Sequence, residues 1–126
     1  MIKKPSIKLV QKKLWEECKR IIKSKYPNTC YTCGASNLVG SNWQTGHMIA
    51  KAFLKPYLKY DLRLLRPQCM RCNLRLGGLG AIFLLNMINE IGEDKVKDIL
   101  KDMMVVIDKK DVYKFYEDLI EEYKKI

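Results

Sequence analysis

Two short cysteine steps constrain this chain more than any other feature: Cys30-Tyr31-Thr32-Cys33 and Cys69-Met70-Arg71-Cys72. Each C-x-x-C turn presents two thiolates close enough to share a metal. Two such turns supply four soft ligands, a complete tetrahedral shell for Zn²⁺. A shell closed by four protein sulfurs leaves no open position for substrate, so the ion it predicts is structural. Thirty-five residues separate Cys33 from Cys69. One ion closing that loop contributes on the order of 10 kcal/mol of folding free energy in small modules. A redox role fits poorly, because a thioredoxin-type couple uses a single pair. Cys18, the fifth cysteine, falls on the apolar stripe of a predicted helix and reads as a core thiol.

The 126 residues suffice for one small domain. Three parts are expected within it: a basic helix in 1–26, a zinc-knuckle core in 27–80 and packed helices in 81–126. No apolar run approaches the ~20 residues of a membrane span, and no signal-peptide pattern follows the basic start. The expected location is therefore the cytoplasm, where paired cysteines bind metal more readily than they form disulfides.

Along the chain, 5–25 reads as a helix with Leu14, Cys18, Ile21 and Ile22 on one side, ended by Pro27. Residues 37–45 suggest a short hairpin or extended piece that buries Trp43. Gly34 suits the turn after Cys33, and Gly46 suits a close approach before His47. The stretch 48–60, broken by Pro56, reads as a loop with a short helical or extended piece. Leu62, Leu64 and Leu65 offer a strand, with Pro67 leading into the second knuckle. A short helix from Cys72 stops at Gly77-Gly78. Helices are expected over 81–91, ended by Gly92, and over 93–103. Residues 104–107 fit either a helix end or a strand. Asp108 is the expected cap of a last helix through Tyr123.

Charge is uneven. The net +10 arises in residues 1–93, which hold sixteen Lys/Arg against five Asp/Glu, while 94–126 hold eight against nine. Residues 1–25 alone are +7, and Lys51, Lys55, Lys59, Arg63, Arg66, Arg71 and Arg75 cross the zinc region. Cations gathered on one module point to a polyanion, nucleic acid first. His47 is the only imidazole and lies inside the loop the metal closes. Its near-neutral pKa suits a general base for water, and a structural imidazole is the plainer alternative. Asn73, directly after Cys72, offers either an oxygen ligand for a hard cation or a helix-capping amide.

These residues carry a resemblance. Gln44-Thr45-Gly46-His47, Tyr60-Asp61-Leu62-Arg63, the run from Arg66-Pro67-Gln68 through Asn73, and Leu76-Gly77-Gly78 resemble the phage recombination endonucleases called NinG or Rap. That family is a branch of the HNH, or ββα-metal, nucleases, and the likeness runs over most of the chain.

The resemblance implies an α+β fold with a small zinc-stabilised ββα-metal core flanked by N-terminal and C-terminal helices. It implies a metal-dependent DNA endonuclease acting on branched recombination intermediates, inside a phage-infected or prophage-bearing cell. His47 would be the base. Asn73 would sit beside a catalytic Mg²⁺ or Mn²⁺, with Asp61 or an acid such as Glu90 completing its shell. Lys51, Lys55, Arg63, Arg66, Arg71 and Arg75 would clamp phosphates, and Cys30, Cys33, Cys69 and Cys72 would hold zinc. Trp43 and Tyr57 could stack on unpaired bases but fit the core better.

Leu64 stands where the HNH pattern has its middle Asn, and Gly46 stands before the base. Leucine cannot orient an imidazole, which favours the rival reading of a catalytically inactive zinc module that only binds DNA. A protein-interaction role is the third reading, favoured if the C-terminal helices expose a large apolar face. A homodimer would suit a symmetric junction, although no spacing demands one.

Overall fold

The structure, a computed structural model, describes residues 3–104 and 111–126. The ambiguous stretch 105–107 and the Asp108 cap lie outside the described residues.

Helix α1 spans Ile7–Lys25. Ser6 caps it by accepting the Leu9 amide at 3.2 Å. Lys23 and Lys25 in the last turn complement the negative end of the helix dipole. Val10, Leu14, Cys18, Ile21 and Ile22 recur at helical spacing and are buried. Tyr26 ends the helix in an extended conformation, which the following Pro27 favours by crowding the α region. Cys18 is fully buried, with its thiol against the Tyr60 carbonyl.

The last helix, numbered α4 below, spans Val112–Lys124 and is capped by Asp111 rather than by a residue farther back. It packs along α1 in the same direction. Tyr113 donates to the Pro5 carbonyl at one end, and Arg20 donates to the Tyr123 and Ile126 carbonyls at the other. Tyr116, Ile120 and Tyr123 close this core.

Strands β1 (Gln44–His47) and β2 (Leu65–Gln68) form a two-stranded antiparallel ribbon. Gln44 faces Gln68, and His47 faces Leu65. Of the hairpin or extended piece expected over 37–45, the local hairpin does not form and only Gln44 and Thr45 join a strand. Gly40–Asn42 is a 3-10 turn, and β1 finds its partner across the loop instead. Leu62–Leu64 is also a 3-10 turn, capped by Asp61, so the strand begins only at Leu65 and takes in Pro67. The ribbon accommodates Pro67 opposite Thr45 because the proline nitrogen faces the outer edge of β2, where its carbonyl accepts from the Tyr31 amide at 2.8 Å, so no ladder bond to β1 is lost.

A π-helical turn, Arg71–Arg75, follows the second knuckle. Helix α2 is Gly80–Ile91, and Gly92 ends it at φ +92°. Helix α3, Glu93–Met104, starts at the next residue. Phe83, Met87, Val96 and Ile99 from this pair enclose Met48, Leu54, Leu58 and Leu64. A third, smaller cluster joins Cys30, Leu38, Cys69 and Cys72 with Trp43 and Leu79. The molecule is thus α+β, with the ribbon between an α1/α4 layer and an α2/α3 layer. None of the described helices is long and apolar enough to cross a membrane.

Candidate functional site

The two knuckles fold by the same local chemistry. The Cys33 amide donates to Cys30 Sγ at 3.5 Å, and the Cys72 amide donates to Cys69 Sγ at 3.4 Å. Gly34, at φ +78°, turns the chain so that its amide reaches the Cys30 carbonyl at 3.0 Å. The four sulfurs lie within 4.8 Å of one another, and Cys33 and Cys69 are 3.8 Å apart. Tetrahedral zinc with bonds of about 2.3 Å requires sulfur–sulfur edges of about 3.8 Å. The donor set therefore fits a divalent soft cation such as zinc.

Burial opposes ionisation at Cys30, but hydrogen bonds from the Thr32 hydroxyl and neighbouring amides prevail and bring its thiol down to about 6. Burial pushes Cys72 up to about 12. A cation at the centre would hold all four as thiolates.

His47 ends β1 and is 8% exposed. Its Nε2 lies 2.9 Å from the Lys59 carbonyl. A carbonyl only accepts, so Nε2 carries the hydrogen and Nδ1 is the basic nitrogen of the neutral ring. The Trp15 indole stacks on the imidazole with centroids 5.2 Å apart and planes 12° from parallel. Burial drives the His47 pKa down to about 4, against the Lys59 hydrogen bond and with help from the charges of Lys51 and Lys59.

The ring opens on a groove of about 300 Å³. Lys8, Gln11, Lys12 and Trp15 of α1 form one wall, and Lys51, Lys59 and Tyr60 form the other. Lys51 also caps the Trp15 ring, 5.2 Å from its centroid. Among the described residues, no carboxylate lines this groove.

Other predicted site residues go elsewhere. Asn73 donates from Nδ2 to Gln44 Oε1 at 2.8 Å. Side chains alternate along a strand, so Gln44 and His47 point to opposite faces of β1. Asn73 is accordingly absent from the His47 groove. Asp61 caps the Leu62–Leu64 turn and holds Arg63 through both carboxylate oxygens. Arg63 also pairs with Asp102. Neither Asn73 nor Asp61 converges with His47, and the four cysteines are the one metal-capable cluster among the described residues. The side chains present do not fit a second, hard-cation site, so no catalytic step is assigned to such an ion.

Arg66 departs from the expected phosphate clamp. Its side chain is 4% exposed and paired with Glu90 at 3.1 Å. It sits 4.7 Å from the Tyr26 ring centroid and donates to the Leu65 carbonyl. Those partners satisfy its fork and withdraw it from solvent. Glu90 is likewise taken, accepting from Tyr31 and Arg66. Lys51, Arg71 and Arg75 stay exposed, and Lys55 is half-buried. Trp43 is half-buried against the cysteine cluster, with Lys23 over its ring, and Tyr57 packs on the α2/α3 core.

Lys8, Lys12, Lys59 and Trp15 were not individually legible as site residues. A signal existed: positions 8, 11, 12 and 15 share one helical face, with two lysines four apart and a tryptophan beside them.

No solved structure matches this protein. Two curated relatives do, Protein ninG of Escherichia phage 933W and Protein ninG of Enterobacteria phage VT2-Sa. Each is 33% identical over 70 residues, which is 56% of this chain and 33% of the relative. The chain thus spans about a third of the length of the relatives it matches. The family described as Bacteriophage Lambda NinG protein matches residues 3–125, nearly the whole chain, and this protein belongs to that family.

Proposed function

We propose that this protein is a DNA endonuclease that hydrolyses phosphodiester bonds, with branched recombination intermediates as its substrates. One observation carries the reading: a neutral imidazole, held by the Lys59 carbonyl, opens on a groove with four lysines. Lys8, Lys12, Lys51 and Lys59 attract the phosphate and offset the charge that builds on it. His47 Nδ1 takes a proton from a water as that water's oxygen attacks phosphorus. The bond to the leaving 3′ oxygen breaks, and that oxygen takes a proton from solvent. A base already neutral at pH 7 needs no prior deprotonation. The ribbon followed by the short turn at Arg71–Arg75 has the order of a ββα arrangement, which supports the HNH assignment.

Dependence on Mg²⁺ or Mn²⁺ is what the resemblance implies, whereas the four cysteines are the one metal-capable cluster among the described residues. Incubating branched, single-stranded and duplex DNA with Mg²⁺, Mn²⁺ or EDTA tests that dependence directly, beside His47→Ala. The endonuclease reading expects cleavage that the substitution abolishes. A second reading, a zinc module that binds DNA without cutting, is favoured by the lack of a groove carboxylate. It expects salt-sensitive binding and no cleavage by either protein under any condition.

A further inference from the structure

Gln68 is fully buried, yet it is neither charged nor apolar. Its Nε2 donates to the Gly78 carbonyl at 2.9 Å and to Thr32 Oγ1 at 3.0 Å. The Gly78 carbonyl can only accept, which sets the orientation of the amide. Gln68 Oε1 is buried with no hydrogen-bond partner. It fills the volume that a Cβ on residue 46 would need, so glycine is the residue that fits there.

Thr32 lies between the first pair of cysteines, and its Oγ1 is 3.4 Å from Cys30 Sγ. A thiolate only accepts, so with a metal bound the Thr32 hydroxyl donates to sulfur and its oxygen accepts from Gln68. Gly78 in turn lies beside the His47 carbonyl. One continuous path thus runs from a metal-ligating sulfur to both neighbours of the His47 backbone.

We propose that Thr32 and Gln68 are positioning residues that join the thiolate metal centre to the strand bearing His47. Thr32 steadies the Cys30 thiolate. Gln68 holds Thr32 in place and packs against Gly46 and Gly78. Outer-shell hydrogen bonds of this kind orient metal ligands, and losing one costs roughly 10–100-fold in affinity. The metal half of the proposal is independent of the endonuclease reading, and the significance of His47 rests on it.

Competition between the full chain and a chromophoric zinc chelator, without DNA, tests the metal half. Thr32→Val is expected to weaken zinc binding roughly 10–100-fold, and Thr32→Ser to restore it. Gln68→Leu should weaken it comparably. The double variant should be no worse than the weaker single one, because both break the same path. Unchanged affinity in Thr32→Val, an equal loss in Thr32→Ser, or additive losses in the double variant would overturn the proposal. Should Gln68→Leu fail to fold, the Thr32 pair decides the metal half alone, and the uncharged, closer-shaped Gln68→Met serves in the ring measurement below.

The far end is read by NMR in zinc-saturated protein, where His47 is the only imidazole. Its ring signals are expected to move in the Gln68 variant and to stay in place in Leu74→Ala, an exposed control. Ring signals unmoved in the Gln68 variant would overturn that link. Because neither measurement involves cleavage, an inactive but correctly coupled protein would refute only the nuclease reading.

Discussion

His47 owes its neutrality to burial, and its orientation to two neighbours distant in sequence, Trp15 and Lys59. An NMR titration should therefore show a neutral ring from pH 8 to about 5 and a midpoint near 4. Trp15→Ala, which admits water to one ring face, should raise that midpoint toward the ordinary ~6.5. The linkage has a definite sign. Between the unfolded pKa of about 6.5 and the folded value, the unfolded chain binds the extra proton. His47 then makes stability fall as pH falls, by about 1.4 kcal/mol per unit, and adds no dependence above that window. Urea midpoints of the native protein and His47→Gln across this range should differ in slope accordingly. Gly46 presents a second test at this scale. Gly46→Ala forces a methyl into Gln68 and should cost about 1–3 kcal/mol as overpacking does. Urea denaturation measures the loss, and Gln68→Ala in the same chain should recover part of it.

Helix α1 has two jobs that its sequence displays unequally. Its apolar stripe was plain from spacing, and the helix runs as expected, with its start at Ile7 after the Ser6 cap. Its groove-facing side was only hinted at by the shared face of Lys8, Gln11, Lys12 and Trp15, because lysines also occupy other exposed positions of the helix, among them Lys13, Lys23 and Lys25. If Lys12 contacts a phosphate, Lys12→Ala should lower the slope of log K against log salt by about 1, equally for all sequences. Titrations of labelled DNA at several salt concentrations provide that slope.

The Arg66–Glu90 pair ties β2 to α2. Glu90→Gln should destabilise by on the order of 2 kcal/mol, since it leaves a buried guanidinium without its anion. Because Glu90 is a third exposed, water offsets part of the loss. A shift in the urea midpoint of that size is the expected result.

At the scale of the molecule, two ordinary apolar cores flank a middle that has little apolar mass of its own. The α1/α4 and α2/α3 clusters each hold eight or more buried residues, whereas the central cluster is three cysteines and Leu38. A metal held by the four sulfurs would do there what side-chain burial does elsewhere. Zinc removal, or Cys69→Ser, should unfold the region 27–80 and lower the melting temperature sharply, as seen by circular dichroism. Unchanged melting after verified zinc loss would show that the thiolate cluster does not hold the fold. Arg66 shows what composition leaves out at this scale. Net charge counts a buried, paired guanidinium and an exposed lysine alike, while only the exposed one is open to an outside anion.

The pattern of residues alone determined the helices and the cysteine cluster. Those follow from short-range physics: apolar spacing, capping side chains, proline and glycine stops, and paired thiols one turn apart. Tertiary structure decided what surrounds His47, because its groove is assembled from α1, the end of β1 and the loop at 51–60. It also decided which cations stay free and that Asn73 and His47 occupy opposite sides of the ribbon. Such relations join positions dozens of residues apart. They depend on how layers pack and how two strands register, quantities that no local window of sequence contains.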